Sequence, residues 1–234
     1  ESFLEGLPPA PPPPLPTPSR RRGERLIMHI DMDCFFAAVA ALGRPELDNL
    51  PVAVSWSSAG AGEVSSCNYA ARAAGCGAGM RIARAKEMCP DLVVMPYEFE
   101  RYSAIALDVY RIFHDVTPHV MGVSVDEAYI DATGCEGTAE EVAAMIRARV
   151  LHKTGCVASV GSGPNRLIAR LATKRAKPDG AHHVSAATAA VFLAVLPAED
   201  LPGVGRGTLD KLKRAGGVGG SGGGAGNTFS GSPR

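Results

Sequence analysis

The sequence predicts an α+β fold built on the ferredoxin-like β-α-β-β-α-β unit, with an inserted α/β subdomain and a partial helical segment behind it. Three observations carry this. LIMHID (26–31) is a short apolar run of strand character. Phe99, Tyr102, Ile105, Ala106, Val109, Ile112 and Phe113 recur at the spacing of one helix face. Val120 to Val125 and Ala128 to Ala132 read as two strands that meet around Asp126-Glu127.

The elements follow in chain order. Residues 1–25 hold a run from Pro8 to Pro18 that is too proline-rich to pack, followed by Arg20, Arg21 and Arg22. This reads as a linker, and three arginines in a row also suit a nuclear import signal. The folded part opens over 26–44 with the first strand. Residues 45–97 interrupt the unit with strands of their own (Val52–Val54, Leu92–Met95) and helices ending at Gly75 and before Pro90. An insertion of that size reads as a functional subdomain over one end of the sheet. The main unit resumes over 98–185. There Thr138 and Glu141 make a capping box for a helix with Val142, Met145, Ile146 and Val150 on its apolar face, and CVASVG (156–161) is the closing strand. Residues 186–215 are the partial helical segment, and 216–234 form a Gly/Ser-rich tail.

Hydrophobic content of 46% in 234 residues is enough for a buried core, and no apolar run has transmembrane length, so no membrane is expected. There is no secretory signal, and a chain that starts at Glu1 reads as a piece of something longer. The formal net charge of +0 names no partner, although basic residues gather between Arg166 and Arg214. The six cysteines include no CxxC pair, which favours reduced, mostly buried thiols in an intracellular protein over disulfides or a zinc site.

Strand order brings acids together. In the split βαβ unit the third strand lies between the first two and runs opposite to the first. The end of strand one, Asp31-Met32-Asp33, therefore sits beside the start of strand three, Asp126-Glu127. Like charges gathered at a sheet edge call for a compensating cation. Oxygen-only ligands suit Mg²⁺, and two such ions would fit in-line phosphoryl transfer. Any one of these acids alone would read as a solvated turn residue; three converging read as a metal site.

Phosphates need donors. Asn68, Tyr69 and Arg72 stand near the start of a short helix in the insertion, where amide groups, a hydroxyl and a guanidinium would suit a triphosphate. Arg166, Arg170 and Lys174 lie four apart on one helical face, with Arg175 and Lys177 beyond them. That stripe suits a nucleic-acid backbone, though many such stripes are simply solvated. LPGVG (201–205) offers Gly203 and Gly205 in a turn ahead of a basic helix. His29 reads as a core histidine, and Trp56, His182 and His183 carry no spacing that argues chemistry. Phe35 and Phe36 read either as core or as a platform under a nucleotide sugar that excludes a 2′-hydroxyl.

HIDMDCFFAAV, GEVSSCNYAARAAG, SVDEAYID, ASVGSGPNRLIARLATKRAKPDG and LPGVG resemble, in order, the motifs of the Y-family translesion DNA polymerases. The likeness covers about residues 26–213. CFF after the acids, MPYEFERY (95–102) and ARLATKRAKPDG resemble the Rev-one branch of deoxycytidyl transferases, whereas SVDEAY resembles the DinB/kappa branch. The resemblance implies a palm over 26–44 and 98–185, fingers over 45–97 and a partial thumb over 186–215. It implies two magnesium ions on Asp31, Asp126 and Glu127 with the Met32 carbonyl, and Phe36 as the steric gate with Cys34 and Phe35 beside the incoming deoxynucleoside triphosphate. Ser66, Tyr69, Arg72 and Lys177 would hold its phosphates, with Asn68 close by, while Arg166, Arg170, Lys174 and the LPGVG turn would touch the damaged DNA primer-template. It further implies nuclear residence. Other translesion polymerase subunits are possible partners but leave no trace in this sequence. No motif upstream of the first strand matches the cytosine-selecting segment of the Rev-one branch, and the little finger is expected to be missing. A truncated, non-catalytic scaffold is therefore an alternative reading, and a nucleotide cyclase a further one that the Asn68, Arg72 and LPGVG signals oppose.

Overall fold

The computed structural model describes residues 25–215, and the expectations for the proline-rich start and the Gly/Ser tail lie outside them. The strands are β1 (Ile27–Met32), β2 (Val52–Val54), β3 (Ser66–Cys67), β4 (Val93–Met95), β5 (Val120–Gly122), β6 (Glu127–Asp131), β7 (Ala158–Gly163) and β8 (Ala181–His183). The helices are α1 (Phe35–Ala41), α2 (Tyr69–Ala73), α3 (Ile82–Met88), α4 (Phe99–Val116), α5 (Ala139–Thr154), α6 (Arg166–Ala176), α7 (Ala189–Ala194) and α8 (Arg206–Arg214).

The main sheet has the order β5-β6-β1-β7-β8. Its first four strands are the predicted split unit, with β6 antiparallel to β1 and lying between β1 and β5. Period-two alternation splits β1 between two faces. Met28, Ile30 and Met32 join Val109, Phe113, Val142 and Ile146 in the core under α4 and α5. Ile27 packs on the opposite face with Tyr129 of β6 and Ala169 of α6. The capping box of Thr138 and Glu141 is present, and α5 ends on Gly155 in the left-handed region. The edge strand β8, parallel to β7, extends the expected unit.

Helix α6 can settle on the sheet because β7 carries no side chain beneath it. A Cβ on Gly161 would stand 2.1 Å from the Thr173 amide nitrogen and 2.2 Å from the Ala169 carbonyl oxygen. The insertion builds its own sheet, β3-β2-β4. It also has its own core, in which Ala53, Val64, Cys67, Ile82 and Leu92 pack together. A third cluster, with Ala37 and Ala40 of α1 against Val52 and Val54 of β2, fastens the insertion to the main unit. All six cysteines are buried free thiols. Among the described residues no helix is long and apolar enough to cross a membrane.

The strand expected to reach Val125 stops at Gly122. The amides of Val123 and Ser124 both turn back onto the Glu127 carbonyl, closing a tight bend. Tyr110 braces that bend, its hydroxyl donating to the Ser124 carbonyl at 2.7 Å.

Candidate nucleotide-binding site

Asp31, next to last in β1, pairs with Glu127, the first residue of β6, and the Met32 amide donates to the Asp126 carbonyl at 2.9 Å. The two strand ends are thus tied where the acids lie. A cavity of about 440 Å³ opens beside them, between the main sheet and the insertion. Asp31, Met32, Cys34, Phe35, Phe36 and Asp126 line it from the sheet side, with Lys174 and Lys177 from α6 and its C-terminal end. Ser65, Ser66, Cys67 and Arg72 line it from the insertion. Acids and phosphate-type donors predicted from distant stretches of chain therefore share one cavity.

Glu127 stands apart from this lining. Its Oε1 accepts from His29 Nε2 at 2.6 Å and lies 3.0 Å from an Arg170 guanidinium nitrogen. Among the described residues no three His, Cys, Asp or Glu side chains are gathered closely enough to hold a metal ion. Asp31 and Asp126 do face one cavity, and their charges act on each other. The donor set is hard oxygen, which fits magnesium. Asp126 is held on its bend by the Ser124 hydroxyl at 2.5 Å.

Burial pushes the Asp31 carboxyl above its ordinary value of 3.8, Lys177 opposes this, and the charges of Asp126 and Glu127 add to it. Lys177 Nζ lies 2.5 Å from Asp31 Oδ1. An acid whose pKa is higher folded than unfolded lends stability below its unfolded value, and that stability is lost as pH rises through the folded value. Ionised Asp31 therefore works against the fold at pH 7. Asp31→Asn is expected to melt above the native chain at pH 7 in divalent-free buffer, by about 2–4 °C per kcal/mol relieved. The two melting curves should converge as pH falls toward 3.8.

The loop carrying Lys177 is anchored by Asp33, the second acid at the end of β1, and by Arg147. Asp33 is buried, accepts from the Ser159 hydroxyl at 2.9 Å and receives the Asp179 amide at 2.6 Å. Arg147 donates to the carbonyls of Ala158 and Asp179. Asp33 thus positions the loop, although it neighbours the predicted metal acids. Its signal was a carboxylate at a strand end followed at once by an apolar helix.

Phe36 stacks on Tyr102 at 4.2 Å between ring centroids and meets Tyr97 edge-on at 6.2 Å. It is a braced wall of the cavity, able to reject a bulkier sugar. Burial raises the Cys34 thiol to about 11, so it lines the cavity as a neutral group. Arg72 donates to the Cys67 carbonyl at 3.1 Å and lies over the Tyr69 ring at 5.2 Å, which fixes its stem. The Tyr69 hydroxyl is buried near Asp33, and burial followed by the Asp33 charge raises its pKa.

Asn68 does other work. It caps α2 by accepting from the Ala71 amide, accepts from the Val52 amide and donates to the Leu50 carbonyl. These bonds fasten its side chain inside the insertion, directly ahead of the helix that carries Tyr69 and Arg72. An Asn immediately before a helix is itself an N-cap signal.

The basic face of α6 is largely engaged. Arg170 reaches Glu127, Lys174 pairs with Asp200, and Arg166 rests on the Met121 sulfur at 3.4 Å. A second cavity of about 420 Å³ runs from Asp31 along Arg170 and Lys174 to Leu201, Pro202 and Gly203. Gly203 adopts a positive φ of 88°, and Gly205 is the N-cap of α8. His29, expected to be core, is buried at 2% exposure and is bonded to an acid of the site.

Residues 30–174 match the impB/mucB/samB family. The chain is 46% identical over 189 residues to the DNA repair protein REV1 of Arabidopsis thaliana, covering 80% of this chain and 17% of that protein. It is 40% identical over 195 residues to DNA polymerase IV of Aeromonas hydrophila, covering 82% and 56%. Among solved structures, DinB from Sulfolobus solfataricus superposes with a TM-score of 0.76 at 28% identity, covering 82% of this chain and 57% of that one. An insertion ternary complex of Dbh DNA polymerase superposes with a TM-score of 0.77, again at 28% identity and 82% coverage of this chain. The chain belongs to the impB/mucB/samB family of Y-family translesion polymerases. It spans 53–56% of the length of the DNA polymerase IV relatives it matches.

Proposed function

We propose that this chain carries the nucleotide-transfer half of a translesion DNA polymerase, joining a deoxynucleoside triphosphate to a primer 3′ end. The observation that carries it is the single cavity that holds Asp31 and Asp126 on one wall and Ser66 and Arg72 on another, with Lys177 beside them. In that reading Arg72, Lys177 and the Ser66 hydroxyl take the triphosphate oxygens. Phe36 sets the sugar against the floor. Asp31, Asp126 and Glu127, with the Met32 carbonyl, would hold two magnesium ions, which when bound supply activation of the attacking 3′ oxygen and stabilisation of the departing pyrophosphate. Lys177 would pass from Asp31 to the phosphates as substrate and cation arrive, since the cation takes over compensation of Asp31. Arg166, Lys174 and the Gly203–Gly205 turn would meet the primer-template backbone.

Within this reading dCTP is the preferred substrate, supported by the 46% identity to REV1. A DinB-like, template-directed choice is the second reading, supported by the 40% identity to DNA polymerase IV. Nuclear residence also belongs to the proposal, resting on Arg20–Arg22. Primer extension with each of the four dNTPs opposite each template base tests the two substrate readings. Dominant dCMP insertion opposite every base supports the first reading, and complementary insertion supports the second. No magnesium-dependent insertion under any condition overturns both and leaves a scaffold.

A further inference from the structure

Glu127 has one oxygen committed before any substrate arrives. Its Oε1 takes His29 Nε2 at 2.6 Å and an Arg170 nitrogen at 3.0 Å, and Oε2 shares in neither contact. The two partners differ in rigidity. Arg170 is a long side chain at 44% exposure, whereas the His29 ring is 2% exposed. On its far side His29 Nδ1 lies 2.8 Å from Thr173 Oγ1. That hydroxyl also stands 2.9 Å from the His29 carbonyl and 3.0 Å from the Ala169 carbonyl, so it is fixed to both β1 and α6. A carboxylate has no proton to give, so Nε2–H donates to Glu127, while Nδ1 faces the Thr173 hydroxyl, whose single proton also has the His29 and Ala169 carbonyls as acceptors. The ring is further held against Tyr129 at 4.5 Å between centroids. A purely structural residue at this buried strand position would need no polar atoms; here both ring nitrogens are engaged, one of them by an acid of the site.

We infer that His29 is a positioning residue for Glu127: it fixes Oε1 and so reserves Oε2 for the metal ion and the attacking end of the primer. The inference rests on the proposed function for the reaction and the metal, and on geometry for the hold that His29 has on Glu127. The Thr173–His29–Glu127 chain is the kind of outer shell whose loss costs about 10–100-fold in metal affinity or activity.

The test compares His29→Leu, which keeps the bulk, with His29→Gln, which keeps a donor at the same reach. Each is measured for Mn²⁺ binding by calorimetry on the full chain without DNA, for kcat and KM in primer extension, and for melting temperature. His29→Leu is expected to weaken Mn²⁺ binding and lower kcat about 10–100-fold, with KM for the nucleotide within about threefold. His29→Gln should recover most of both at a melting temperature equal to that of His29→Leu. Thr173→Val, which leaves the ring in place, should lose about fivefold in the same direction. Unchanged Mn²⁺ binding in a folded His29→Leu chain overturns the inference. So does equal loss in the Leu and Gln variants, which would mark a residue of the core alone. A native chain whose Mn²⁺ binding depends on His29 yet that extends no primer would overturn the polymerase reading and leave the positioning role standing.

Discussion

Replacing Asp126 and Glu127 together by alanine is expected to lower primer extension at least about 10³-fold, because several kcal/mol of transition-state stabilisation depend on the cations those acids would hold. The change should leave a folded protein. Asp126 is half-buried on its bend, and its carboxylate accepts a hydrogen bond from the Ser124 hydroxyl. Glu127 is the more costly of the two, since its removal leaves the buried His29 Nε2–H without an acceptor, a loss of about 1–3 kcal/mol. Part of that is offset because Asp31 loses two neighbouring negative charges. Steady-state extension read beside a melting curve separates the two effects. Extension that survives in the double variant contradicts the proposed site.

Gly161→Ala is expected to be the most damaging single methyl in the fold. Its Cβ would fall 2.1 Å from the Thr173 amide nitrogen, 2.2 Å from the Ala169 carbonyl and 2.5 Å from the Thr173 hydroxyl. Two of these are backbone atoms of α6, which cannot swing aside, so the helix itself must lift. Overpacking of this kind costs about 1–3 kcal/mol, and the upper end is expected here, a fall of about 6–12 °C in melting temperature. Lifting α6 also draws Thr173 away from His29 and so reaches Glu127. The contrast is Gly207 in α8, where a Cβ would meet nothing within 4 Å. Gly207→Ala should raise stability by about 0.5–1 kcal/mol through helix propensity.

Much of the main sheet was legible because its signals are local. Strand β1 shows as an apolar run, α4 as a helical stripe and α5 as a capping box. The order of those elements then dictates that Asp31 and Glu127 meet, as their register confirms. Less legible were elements without a period of their own. Helix α1 is FFAAVAA, whose unbroken apolar character hides helix from strand, and β3 is two residues long. Val123 to Val125 carry the valines expected of a strand, while the controlling interaction is a pair of amides turning onto one carbonyl. The site was legible as a gathering of residue types but not as pairings. Asn68, read as a phosphate neighbour, also caps α2, since both roles favour the same polar residue ahead of a helix. His29 looked like core and is core, but only period-two spacing from Asp31 hinted that its ring would share a face with the acids.

The most direct measurement is an equilibrium titration of the full chain with a deoxynucleoside triphosphate, with and without Mg²⁺, for the native protein and for Arg72→Ala. Binding is expected to require Mg²⁺, and to weaken at least about tenfold in Arg72→Ala, as loss of a charged hydrogen bond to phosphate implies. Binding of equal strength with or without Mg²⁺, and untouched by the loss of Arg72, would contradict the placement of the triphosphate in this cavity.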